Sequence, residues 1–145
     1  MLQTKKIFFS HPRERMLMKI LKTIPVERGS LDKEKTEQTL EKFNSVLKSG
    51  RLLLFFEGSR TRNGEIGPTR AGVARTIFTM HPIVIPIFLE NIQPIMPIES
   101  GFNFFKIYRG KKGRMIIGKP IIFSDLNNLR KIKDEVKNAV ENLKT

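Results

Sequence analysis

The 145-residue sequence predicts an α/β fold, a largely parallel sheet flanked by helices in a single domain. Three observations carry that expectation. The segments "RLLLFF" (51–56) and "PIVIPIFLE" (82–90) are apolar at nearly every position, as strands covered on both faces are. Between them Val73, Ala74, Ile77 and Phe78 recur at helical spacing, and a strand, a helix and a second strand imply a parallel crossover. The length suits one domain, and 39% hydrophobic residues suffice for one core.

The elements follow in order. "KKIFF" reads as a short strand, and "SHPRERMLMKILK" as a short helix with Ser10 as N-cap, Pro12 in the first turn and Leu17, Ile20 and Leu21 on one face. "TIPVERGS" is extended and turn-like. A helix then starts at Ser30 or Asp32, carries Leu40, Phe43 and Leu47 along one stripe, and stops at Gly50. The strand 51–56 runs into a polar loop, a helix spans about Thr69 to Met80, and the second apolar strand follows. "GFNFFKIYRGKKGRMIIGKPIIF" alternates apolar and polar residues around Gly110-Lys111-Lys112-Gly113, which predicts a hairpin or two short strands. Ser124 to Lys144 closes the chain as an amphipathic helix, with Ser124 as N-cap and Leu129, Ile132, Val136, Val140 and Leu143 as its core stripe.

Charge narrows the function. Against 14 Asp and Glu stand 27 Lys and Arg, a formal charge of +13, so anionic partners are expected: nucleic acid, an anionic membrane surface or a phosphorylated small molecule. The absence of cysteine excludes disulfides, thiolate nucleophiles and Cys-ligated metals, and no metal site is expected. The longest apolar stretch, 81–98, is broken by prolines, Glu90 and Asn91, and so falls short of the roughly 18 to 20 uninterrupted apolar residues a spanning helix needs. "MLQTKKIFFSHPRERM" has an apolar core too short for a signal peptide.

The loop "EGSRTRNGEIGP" (57–68) lies at the carboxyl end of a predicted strand, where ligands collect in such sheets. Gly58 and Gly64 allow backbone amides to approach an anion, Arg60 and Arg62 offer planar forks for phosphate, and the helix starting near Thr69 points its positive end the same way, beside Arg70. Singly, each feature fits a solvated turn. Together they predict an anion site.

"FFEGSRTRNGE" resembles the Phe-Pro-Glu-Gly-Thr-Arg-Ser-Arg signature of the glycerophospholipid acyltransferases, the group containing 1-acyl-glycerol-3-phosphate acyltransferase. "KILKTIPVERGS", "GPTRAGVARTIF", "PIVIPIFLEN" and "IIGKPIIF" are similar to further blocks of that family in the same order, so the likeness runs from about Lys5 to Phe123. Phe56 stands where the signature has proline, Ser59 where it has threonine, and Thr69-Arg70 where Phe-Lys is common. The resemblance implies a glycerol-3-phosphate acyltransferase-like domain over 5–145, about the C-terminal three quarters of the family domain, with 1–4 as a terminus. It implies transfer of a fatty acyl group from acyl-CoA or acyl-ACP, a co-substrate and not a bound cofactor, to the hydroxyl of lysophosphatidate or a related glycerol phosphate. By position, Glu57, Gly58, Ser59 and Arg60 would form the phosphate-binding loop and Arg28 a second cationic contact converging with Arg60, with Arg62 and Arg70 as secondary candidates. Glu57, which would repel a phosphate, is expected to orient Arg60 or Arg28, or to receive a glycerol hydroxyl.

The family's general base, the histidine of His-x-x-x-x-Asp, has no match. Five positions after His11 stands Met16, and five after His81 stands Pro86. No catalytic residue is therefore assigned: His11 reads as a helix-start residue and His81 as a loop residue. The expectation is a domain truncated at the amino terminus, which binds better than it catalyses and whose catalytic block an upstream fragment would supply. A cytoplasmic protein, peripheral on the inner face of the membrane, fits the cations and the apolar segments. Two other readings stay open. One is a basic nucleic-acid-binding module built on "NFFKIYRGKKGR", although the residue order does not match the RNA-recognition signature and no specific nucleic acid is expected. The other is a non-catalytic remnant that binds lysophospholipid.

Overall fold

The computed structural model describes residues 16, 19–24, 26, 33–59, 61, 64–92, 95, 112–124 and 128–144. Within them the elements are α1 (Lys33–Ser49), α2 (Ala71–Met80), β1 (Ile87–Glu90), β2 (Arg114–Ile117) and α3 (Leu129–Glu141). The strand expected at 5–9, most of the short helix after it, and the first arm and half of the turn of the hairpin expected at 101–123 lie outside the described residues.

Each helix has a local cause. α1 carries Glu34 in its first turn and Lys48 in its last, both favourable to the helix dipole, and buries Phe43 while Leu40 and Leu47 are half-buried. α2 ends where His81 turns left-handed (φ 48°) and donates its amide to Ile77 O at 2.9 Å. Pro82 follows, with no amide to continue the ladder. α3 begins four residues later than the Ser124 cap expected from the sequence: Asn128 is extended there, and its Oδ1 accepts from the Arg130 amide at 2.8 Å. The expected stripe is real, with Ile132, Val136 and Val140 buried, but Leu129 at its start is exposed.

The sheet departs from expectation. β1 and β2 pair antiparallel, in the register Ile87 with Ile117, Phe88 with Ile116, Leu89 with Met115 and Glu90 with Arg114. An isolated bridge between Val84 and Ile121 continues the pairing. The ladder is interrupted at Pro86, whose ring nitrogen cannot donate, while its carbonyl accepts from Gly118 N at 2.9 Å. Residues 51–55 form no strand among the described residues, so the parallel crossover expected from 51–56 and 82–90 is not formed there. An extended segment becomes a strand only where another backbone meets its amides and carbonyls.

Burial corrects the second expectation. Along 51–56 and 82–86 the side chains alternate between covered and open instead of being covered on both sides, and beyond them Leu89 is open again. On the covered side Ala74, Ile77, Phe123, Ile132 and Val136 form the core, with Phe56, Val73, Val84 and Ile121 packed against it. This core joins α2 and α3 to one face of the strands. Phe78, expected in it, points away and is exposed, because α2 needs only the stripe of Val73, Ala74 and Ile77 to meet its neighbours.

Candidate functional site

The loop after residue 56 is built from its neck outward. Phe56 is packed on the core, and the chain turns at once: Gly58 N donates to Phe55 O at 2.9 Å. Gly58 has φ 69°, a backbone conformation that side chains resist, and a methyl there would meet Arg70 Cγ at 3.1 Å. After the excursion the chain returns to the same place, where Arg70 N donates to Phe56 O at 2.8 Å. Two side chains lock this neck. Glu57 Oε2 accepts from Gly67 N at 2.8 Å, and Arg70 Nε donates to Glu57 O at 2.9 Å.

Thr69 anchors the returning strand of the loop. It is buried, and its Oγ1 donates to Lys133 O of α3 at 2.8 Å. α2 is tied in turn to α1 by an exposed pair, Arg75 with Glu37, at 3.4 Å. The loop base is thus held from the core below and from α3 at the side, while Ser59 is exposed.

The start of α2 presents hydrogen-bond donors at the neck. α2 starts with no acidic residue in its first turn, and its N-cap, Arg70, supplies no side-chain cap. Among the described residues the amides of Ala71 and Gly72 have no acceptor, and neither have the terminal nitrogens of Arg70. An uncapped helix start beside an arginine is a concentration of donors that lack acceptors among the described residues, an arrangement chemically suited to an anion. An open groove of about 410 Å³ runs between Glu65 and Ile66 of the loop and Lys137, Glu141 and Lys144 of the C-terminal region. Its charges are balanced, with Lys137 and Glu141 paired at 3.2 Å.

Of the residues expected in the site, the structure brings Glu57, Gly58 and Arg70 together at the neck, with Ser59 beyond it. Arg28, Arg60 and Arg62 lie outside the described residues, and so does the expected convergence of Arg28 with Arg60. Of the two histidines His11 is also outside them, and His81 is an exposed residue at the end of α2. The stretch 103–111 of the basic "NFFKIYRGKKGR" is outside them as well. The carboxylate of Glu57 has the Gly67 amide as its partner, a contact that sequence reasoning missed together with the anchoring by Thr69. The signal available was the Gly67-Pro68 pair, which marks a turn just before a helix.

Comparison with known proteins bears on the same region. A family model described as Acyltransferase matches residues 1–90, which include the whole loop and α2. A chloroplastic 1-acyl-sn-glycerol-3-phosphate acyltransferase of Brassica napus is 29% identical over 124 residues, 85% of this chain and 33% of that protein. The chain therefore spans about a third of the length of the relative it matches. No solved structure matches it.

Proposed function

Since the chain belongs to the acyltransferase family, we propose that its loop and the start of α2 receive the phosphate of lysophosphatidate or a related glycerol phosphate, as the acceptor half of a phospholipid-forming acyl transfer. The observation that carries this reading is the neck itself. Arg70 is held by its Nε on Glu57 O at 2.9 Å, beside first-turn amides that have no acceptor among the described residues. A phosphate there would take charged hydrogen bonds from a guanidinium and backbone amides, which orient it as well as bind it. Arg60, Arg62 and Arg28 are proposed to add to the same grip, and acyl-CoA or acyl-ACP to serve as donor.

The division of labour follows from the residues. His-x-x-x-x-Asp is absent from these 145 residues, so no side chain is assigned to remove the acceptor's proton. A missing general base is worth about 10²- to 10⁴-fold in rate, and the reading is therefore of acceptor binding, with the base supplied by other polypeptide. The formal charge of +13 supports work at an anionic membrane surface, on its cytoplasmic side. Among the described residues no helix is long and apolar enough to cross a membrane.

The experiment is calorimetric titration with glycerol 3-phosphate. Arg60→Ala and Arg70→Ala are each expected to weaken binding by roughly tenfold or more, since a charged hydrogen bond contributes about 1.5 to 3 kcal/mol. Wild-type affinity in both variants would overturn the assignment.

A further inference from the structure

A carboxylate within a phosphate site opposes binding by repulsion, so Glu57 needs a reason to stand at the neck. Its contacts supply one. The side chain closes the loop, because Oε2 accepts from Gly67 N across ten residues of chain at 2.8 Å. The main chain of the same residue aims the cation, because its carbonyl accepts from Arg70 Nε at 2.9 Å. Two glycines make room for this. A methyl on Gly67 would lie 2.9 Å from Glu57 Oε2, and one on Gly58 would lie 3.1 Å from Arg70 Cγ.

We infer that Glu57 is a positioning residue whose carboxylate clasps the Gly67 amide, holding the loop shut and Arg70 aimed before any phosphate arrives. The inference rests on the phosphate reading above and adds to it how the site is kept in its binding geometry. Preorganisation of this kind strengthens binding by removing the cost of ordering the loop in the complex. Glu57 itself touches no phosphate. Its carboxylate is engaged instead by the Gly67 amide at the neck.

Gly67 separates this role from direct contact with the acceptor. Its φ lies outside the left-handed region, so alanine there is strained only by the approach of the carboxylate. If Glu57 clasps, Gly67→Ala opens the neck and mimics Glu57→Ala; if Glu57 touches the acceptor instead, the Gly67 amide keeps its protection in Glu57→Ala.

The test titrates wild type, Glu57→Ala, Glu57→Gln, Gly67→Ala and the Glu57→Ala/Gly67→Ala double variant with glycerol 3-phosphate by calorimetry, and follows the Gly67 amide by NMR in the chains that retain it. Glu57→Ala and Gly67→Ala are each expected to weaken binding on the order of tenfold, the double variant no more than either alone. Glu57→Gln keeps an oxygen that accepts from Gly67 and is expected to stay within about threefold of wild type. The Gly67 amide exchanges faster with solvent in Glu57→Ala than in wild type. Unchanged affinity in Glu57→Ala and Gly67→Ala, or losses that add in the double variant, would overturn the clasp and leave the phosphate reading standing. No binding by wild type would overturn that reading and the inference with it. Should Glu57→Ala not fold, Gly67→Ala against Glu57→Gln makes the same comparison.

Discussion

A methyl group added at Gly118 would sit 2.8 Å from Pro86 Cγ and 3.1 Å from Leu143 Cδ2. A proline ring cannot swing aside, so this glycine is where the irregular part of the ladder lets Leu143, in the turn after α3, approach. Gly118→Ala is expected to cost about 1 to 3 kcal/mol, seen as a lower urea midpoint at unchanged slope. The glycines look alike in the sequence and differ in the fold. Gly64 has φ 79° with open space around it, Gly67 has ordinary φ and no space, and Gly58 has both constraints. Residue type revealed that the loop was glycine-rich and cationic. Which glycine admits the Glu57 carboxylate depended on residues ten positions apart meeting at the neck.

The helices were legible because their periodicity and their stops are local. α2 was expected over about Thr69 to Met80 and spans Ala71–Met80, ended by His81 and Pro82. Between Ser124 and Asn128 as the start of α3 the sequence offers no decision, since both are good caps. The choice falls to the residue whose following turn brings Ile132, Val136 and Val140 onto the core. Asn128→Ala is expected to cost about 1 kcal/mol, with Asn128→Asp close to wild type and Ser124→Ala near neutral, in thermal unfolding. Strands were harder to read. An apolar run such as 51–56 can be recognised, but pairing belongs to two segments at once, and only 87–90 and 114–117 meet as regular strands among the described residues.

Over the described molecule, the helices cover one side of the strands. The other side carries Ile83, Ile85, Leu89, Met115, Ile117 and Ile122, all exposed, because the cross-strand register puts Leu89 with Met115 and Ile87 with Ile117 on one face. Leu53 is 74% exposed and Ile122 75% exposed, so neither contributes much to the core. Leu53→Lys and Ile122→Lys are each expected to change stability by less than about 0.5 kcal/mol, and to reduce self-association in light scattering by breaking an exposed apolar surface. A loss of several degrees in Tm from either would mean that these side chains are packed.

The sequence alone determined the family likeness, the cationic glycine-rich loop, the helical stripes and the surplus of positive charge, because each is a property of residue type and short spacing. Tertiary structure decided the antiparallel pairing, the single covered face and the clasp of Glu57 on Gly67 with Arg70 beside it. Those depend on which backbone donor comes within 3 Å of which acceptor across distant parts of the chain, a quantity that no local pattern encodes.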